Sequence, residues 1–272
     1  KEIASAPRRI FAVTSFVSPR LLALPLSVIA ALALPASAAP AASVPGDESP
    51  DPIFRKAELL AGDDFEQGLQ QWRPELEKGG TITGQGGKLD LDVAGGCTLW
   101  LKEALTGPVL IEYEATEVQA GGPHDRVSDL NCFWMARDAR SPDDLFATSR
   151  SGAFGDYDFL RCYYVGVGGN SNTTTRFRRY IGEKGNRPLL PEHDLSAPEY
   201  LLKPNVAQQI QIISFDHVIA FYRDGRRLFA YDDPKPYTSG WFGFRTVDNH
   251  LTIRHFRVYR LVLAPPPPSL QP

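Results

Sequence analysis

The sequence predicts an all-β chain, a sandwich or barrel of short antiparallel strands, on three observations. After residue 80 the apolar residues recur with a period of two rather than 3.6. The runs are short, rich in β-branched and aromatic residues, and bounded by Gly, Pro, Asn and Asp. Long helical periodicity is missing, although DDFEQGLQQW and SPDDLFA allow a turn or two. About a dozen such runs in roughly 200 residues suit sheets packed face to face or closed on themselves.

In order, the predicted strands are TITG (81–84), KLDLDV (88–93), CTLWLK (97–102), VLIEYEATEV (109–118), VSDLNCFWMA (127–136) and FLRCYYVGV (159–167). TTTRFRRYI (173–181), VAQQIQIISF (206–215), HVIAFYRDG (217–225), RRLFAYDD (226–233), GWFGFRTV (240–247) and LTIRHFRVYRL (251–261) follow. Asp224-Gly225 lies between two strand patterns, where a tight hairpin needs positive φ.

The ends of the 272-residue sequence read differently. Arg8, Arg9 and Arg20 precede the apolar run LLALPLSVIAALAL and the small residues Ala36 and Ala38, the layout of a secretory signal peptide over 1–39. The run falls short of the ~20 residues of a bilayer span, so an uncleaved anchor is the weaker alternative. Residues 40–58 are rich in Pro, Ser and Asp and predict a disordered linker. The tail APPPPSLQP, 264–272, predicts an unpacked polyproline segment. The folded domain is therefore expected over 59–263, secreted or periplasmic, with no membrane contact once the leader is removed, and monomeric. A net charge of −3 argues against a nucleic-acid partner, which favours a basic excess. Cys97, Cys132 and Cys162 lack metal-ligand spacing. Either Cys132 and Cys162 form a disulfide or all three are small buried side chains.

Against that charge, GGNSNTTTRFRRYIG (168–182) gathers three arginines beside a Gly/Asn turn. Alternation puts Thr174, Arg176, Arg178 and Tyr180 on one face and Phe177, Arg179 and Ile181 on the other. Arg176 and Arg178 then stand about 7 Å apart, suited to successive anionic groups of an extended ligand or to neighbouring carboxylates. Phe242 and Phe244 read as core. Trp241 with Arg245 reads as a sugar-stacking platform beside a carboxylate clamp. Asp129 and Asn131 alternate with Leu130 and Cys132 and need partners if buried. Tyr163 and Tyr164 fall on opposite faces, so one alone can join a groove. SGAFGDYDF (151–159) has the composition of a loop lining one.

DRVSDLNCFWMARD, YYVGVGGNSNTTTRFRRY and GWFGFRTVDNHLTIRHFRVYRL together resemble a family of secreted bacterial proteins, domain-of-unknown-function family 6250. GDDFEQGLQQW at the start and FRVYRL at the end resemble the concanavalin A-like jelly roll of lectins, glucanases and several polysaccharide lyases. The resemblance covers roughly residues 60–262. It implies two curved antiparallel sheets with a carbohydrate across the concave face.

Three functions are open. The first is a lyase that cleaves an acidic, uronate-containing polysaccharide by β-elimination. It needs a cation or amide to neutralise the carboxylate, for which Arg176 and Arg178 are candidates, helped by Asn131 or Asn170. It also needs a base and an acid, for which Tyr164, Tyr180 and His250 are candidates. Neighbouring arginines would lower the Tyr180 pKa. Asp129, Asn172, Trp241 and Arg245 complete the expected substrate contacts. The second is a glycoside hydrolase, which needs paired carboxyl groups such as Glu112 with Glu114, or Asp125 with Asp129. Glu-x-Glu on a strand more often marks a solvated face. The third is a carbohydrate-binding module without catalysis. No cofactor is required for any of them. Asp64 and Asp248 are candidates for a structural calcium between end strands, or simply turn aspartates.

Overall fold

The computed structural model describes residues 48–266. The expected leader, the linker up to residue 47 and the tail from residue 267 lie outside the described residues. Fourteen strands follow in order among them: β1 (Phe54–Asp63), β2 (Trp72–Leu76), β3 (Gly80–Gln85), β4 (Lys88–Leu101), β5 (Leu105–Thr106), β6 (Val109–Glu117) and β7 (Leu130–Asp138). Then come β8 (Leu160–Gly168), β9 (Thr174–Ile181), β10 (Asp194–Leu195), β11 (Gln208–Phe215), β12 (Val218–Arg223), β13 (Arg226–Asp232) and β14 (Ser239–Leu263). The predicted hairpin joins β12 to β13, with Asp224 at φ 52° and Gly225 at φ 73°. One boundary moves: β1 begins at Phe54, inside the stretch expected as linker. Phe54 is buried and its ring lies 4.7 Å from that of Phe215, while the rest of β1 is half exposed and shows no alternation to read.

The fold is a jelly roll of antiparallel strands. The strand order β10-β9-β8-β7-β14-β6-β11-β12-β13 makes one curled sheet, with β4, β1 and β5 added along β14, and β2 and β3 along β4. The 25-residue β14 is the hinge of this architecture: its first part pairs with β7, its middle with β4, and its later part with β6 and β1. Register shifts near Asp248 (φ 47°) and His255 (φ 53°) bend it, as bulged residues in the left-handed region do. The curl brings the far strands together, so that Phe177 on β9 meets Phe229 on β13 at 6.0 Å.

Alternation then produces two cores. Phe242, Phe244, Trp134, Tyr163, Val165 and Phe177 face the main core with residues of β6, β11 and β13. Their neighbours Trp241, Phe133, Tyr164, Cys162 and Tyr180 face the other way. With Trp100, Leu145 and Tyr157 they build a second cluster. The strap between β7 and β8 covers that cluster and carries a three-residue turn, Leu145–Ala147, capped by Asp144. Cys132 belongs to the first cluster and Cys162 to the second. The expected Cys132–Cys162 disulfide is therefore ruled out: the two side chains lie on opposite faces, and all three cysteines are free and buried.

Candidate functional site

A cleft of about 440 Å³ opens on the second face, away from the main core, and residues of four neighbouring strands, β14, β7, β8 and β9, line its floor. Thr98 on β4 stands opposite Arg245 on β14, which stands opposite Asn131 on β7. Asn131 is opposite Gly166 on β8, Gly166 opposite Arg176 on β9, and Arg176 opposite Asp194 on β10. Directly opposed residues share a face. At roughly 4.8 Å per strand, Arg245 and Arg176 are separated by about 14 Å across the sheet. A second row, Gly243, Phe133, Tyr164 and Arg178, runs beside the first.

Arg245 is the most buried cation of the cleft, 1% exposed. Its Nη1 donates to Thr98 Oγ1 at 2.9 Å and to the Gly152 carbonyl at 3.0 Å. Tyr157 and Phe154 lie 4.6 and 5.0 Å from its guanidinium carbon. Its Nε and Nη2 donate to nothing, and no carboxylate pairs with it among the described residues. Unpaired buried donors cost about 1–3 kcal/mol each, so the arrangement is not one that packing alone would favour. Asn131 repeats the pattern: its amide donates weakly to Asp129 at 3.3 Å, while its Oδ1 is buried without a partner.

Tyr164, not Tyr163, is the cleft tyrosine. Tyr163 lies in the main core, its hydroxyl donating to Asp233 at 2.7 Å. Burial pushes the Tyr164 phenol well above its ordinary value, so it is neutral and able to donate a proton. Arg178, directly opposite, donates to the Arg187 carbonyl, and burial pulls its pKa down from the usual arginine value. Arg176 is spoken for: its Nε and Nη2 donate to Asp194 at 2.8 and 3.0 Å. The two arginines thus share a strand face but not a role.

Four expected site residues are placed elsewhere. Tyr180 is wholly buried beneath Tyr164 and Phe133, with its hydroxyl unpartnered. Burial raises its pKa and outweighs Arg187 and Arg178, the reverse of the expected lowering. Trp241 offers no stacking face: it is 8% exposed, edge-on to Phe146, with Nε1 donating to the Lys102 carbonyl. His250 has both ring nitrogens on carboxylates, Asp125 at 2.9 Å and Asp90 at 3.1 Å. It does not line the cleft. Asn172 pins the segment before β11 by exchanging hydrogen bonds with the Leu202 backbone.

The rim supplies Arg126 and Ser171, which sequence reasoning missed, beside the expected Asn170. Arg126 donates to Asp129 at 2.7 Å and, through Nε, to the Asp248 carbonyl at 2.9 Å. Its signal was the spacing Arg-x-x-Asp just before β7. Asn170 and Ser171 line the rim from a left-handed turn, with Asn170, Ser171 and Asn172 at φ 54°, 58° and 59°, and the Ser171 hydroxyl lies 3.5 Å from Arg126 Nη1. Three successive non-glycine residues there hold local strain of a kind that collects at functional sites. Phe154 comes from the loop whose composition had suggested a groove wall.

The carboxylate pairs required for hydrolysis are not in the cleft. Glu112 pairs with Lys56 at 2.8 Å and accepts from Gln211, and Glu114 accepts from Gln209. Asp125 caps its own loop. Asp129, already bonded to Arg126, is the one acid of the lining. Calcium does not fit the proposed pair either. The Asp64 carboxylate is clasped by Arg257 at 2.8 and 2.7 Å, and Asp248 stands 3.8 Å from Arg126. No three His, Cys, Asp or Glu side chains converge as metal ligands among the described residues.

This architecture recurs in solved structures. A protein of unknown function with a galectin-like fold from Bacillus subtilis superposes with a TM-score of 0.61 at 17% identity, covering 78% of this chain and 100% of that one. β-Agarase B from Zobellia galactanivorans superposes with a TM-score of 0.51 at 10% identity, over 81% of this chain and 99% of that one. A mutant of the Emp46p carbohydrate recognition domain gives 0.51 at 14% identity, over 74% and 93%. At these identities the likeness is one of fold. A search of curated proteins finds no match. The sequence model of the family described as a domain of unknown function (DUF6250) matches residues 91–256, from β4 into β14, and the chain belongs to that family.

Proposed function

We propose that the cleft binds an acidic, uronate-containing polysaccharide, and that the protein does so outside the cytoplasm, secreted or periplasmic. The observation that carries this reading is the lining itself: four arginines, Arg126, Arg176, Arg178 and Arg245, against the single acid Asp129. A chain of net charge −3 has concentrated cations where a groove crosses four strands. Guanidinium groups bind carboxylates through paired, charge-assisted hydrogen bonds, and successive acidic sugars would meet them along the row. The jelly-roll fold, shared with a carbohydrate recognition domain and an agarase, is compatible with a glycan in this position.

Cleavage by β-elimination is the second reading, and Tyr164 is its specific support. The neutral Tyr164 hydroxyl borders the cleft floor opposite Arg178, where it would protonate a leaving glycosidic oxygen while an arginine neutralises the carboxylate. Elimination also releases the proton on the carbon beside the carboxylate. With Tyr180 and His250 outside the cleft, Asp129, the one carboxylate of the lining, would have to accept it.

The test is a panel of plant and algal uronans incubated with the purified protein. Retention on a uronan affinity gel is the expected result, and loss of all retention by wild type overturns the binding reading. New ultraviolet absorbance from an unsaturated uronate adds elimination. Reducing ends without that absorbance favour a hydrolase instead.

A further inference from the structure

We infer that Arg245 is the carboxylate-reading residue of the cleft, and that it selects the free acid of a sugar over its ester. The inference rests on the acidic-glycan reading and deepens it.

The argument is one of geometry. The two idle nitrogens of Arg245, Nε and Nη2, lie on the same edge of the guanidinium plane. That edge forms a two-pronged donor matched to the two oxygens of a carboxylate. The protein uses it in this way elsewhere. Arg176 grips Asp194 through Nε and Nη2 at 2.8 and 3.0 Å, and Arg140 grips Asp138 through Nε and Nη2 at 2.8 and 2.7 Å. In Arg245 the third nitrogen alone meets the structural needs, tying the sheet to the strap at Gly152. A hydrocarbon side chain would fill the same space without two stranded donors.

The surroundings supply the rest of a recognition pocket. Asn131 sits opposite Arg245 with an idle buried acceptor, Oδ1. Gly166 comes next in the row. A Cβ there would lie 2.7 Å from the Tyr164 hydroxyl and 3.1 Å from Asn131 Oδ1. Both polar atoms therefore converge over the bare backbone of Gly166, placed to meet a ring hydroxyl beside a bound carboxylate. Phe154 packs on the guanidinium: its ring lies 5.0 Å from the Arg245 guanidinium carbon, yet the residue is 36% exposed. The entering acid would displace this ring, which comes from a short strap turn and packs against Arg187 at 4.0 Å. An ester cannot replace the charge that makes the displacement favourable. A neutral sugar cannot satisfy the fork.

The experiment compares galacturonate and glucuronate oligosaccharides as free acids with their methyl esters, by calorimetric titration of the purified protein. Wild type is expected to bind at least one free acid ten or more times more tightly than its ester. Arg245→Lys keeps the charge but loses the fork, and is expected to erase that preference. Gly166→Ala, whose methyl would crowd the Tyr164 ring edge and Asn131 Oδ1, is expected to weaken free-acid binding about tenfold in a protein that still unfolds cooperatively, with some loss of melting temperature. Arg227→Gln, an exposed arginine of β13 outside the cleft, should change affinity less than threefold. Wild-type binding of acid and ester alike would overturn the inference and leave the acidic-glycan reading standing. Binding of neither form would overturn both. A folded Arg245→Lys protein that keeps the preference, or tight binding of a sulfated glycan without uronate, would also overturn it. Should Arg245→Lys fail to fold, unchanged binding by Gly166→Ala overturns the proposal on its own.

Discussion

Glu75 and Arg150 meet at 2.9 Å with both side chains withdrawn from water, 7% and 1% exposed. The pair joins β2 to the strap. Glu75 also accepts from the Trp100 indole at 2.9 Å and the Tyr157 hydroxyl at 2.8 Å, and Arg150 donates to the Leu145 carbonyl. Removing one member of such a pair strands a buried charge, which costs about 3–5 kcal/mol. Arg150→Ala is expected to lower unfolding free energy by about that amount in urea titrations. The double variant Glu75→Gln, Arg150→Met should recover part of it. If Arg150→Ala costs under about 1 kcal/mol, the strap is not held by this pair.

Gly243 lies directly beneath the Trp100 indole. A Cβ at Gly243 would sit 2.6 Å from Cε3 of that ring. The ring cannot move aside freely: Glu75 holds its Nε1, and Phe133 stacks on it at 5.6 Å. Overpacking of this kind costs about 1–3 kcal/mol. Gly243→Ala should destabilise the protein by that much and shift indole fluorescence. An unchanged melting temperature would show that the second cluster is looser than its packing indicates.

These two contacts mark where the sequence stops being readable. Alternation assigns faces along one strand, and it put Arg176 and Arg178 together, Phe242 and Phe244 in the core, and Arg245 on the opposite face. It is blind to the next strand. The row Arg245–Asn131–Gly166–Arg176 exists because β14, β7, β8 and β9 adopt one register, fixed by distant turns and bulges. For the same reason Trp241 looked like an open platform. Nothing local announced that Phe146 of the strap would cover it. Tyr180 and Arg178 share a strand face, yet one lies under a tyrosine and the other borders the cleft, a difference set by the strap and the β9–β10 connection.

The three cysteines give a redox prediction. Burial pushes the Cys97 and Cys132 thiols up to about 12 and raises Cys162 as well, so none carries the thiolate that reacts. A thiol reagent should label none of them in the native protein and all three once urea unfolds it. Added reductant should leave the melting temperature unchanged. A reductant-sensitive melt would mean that a disulfide forms.

Glu117 gives a pH prediction whose sign follows from linkage. Its side chain is wholly buried at the end of β6, and neither carboxyl oxygen makes a hydrogen bond of good geometry. Burial raises its pKa well above 4.5, against the opposing pull of Asn249 and the Ser128 backbone. The folded protein therefore keeps a proton that the unfolded chain releases above its ordinary value. Stability from this group is complete below about pH 4.5 and falls as pH rises toward the folded pKa. Glu117→Gln cannot ionise in either state and removes that slope. Its urea midpoint is expected to exceed wild type at pH 7 and to match it near pH 4. A variant less stable than wild type at pH 7, or a gap that stays constant between the two pH values, would mean that Glu117 is charged and paired in the folded protein.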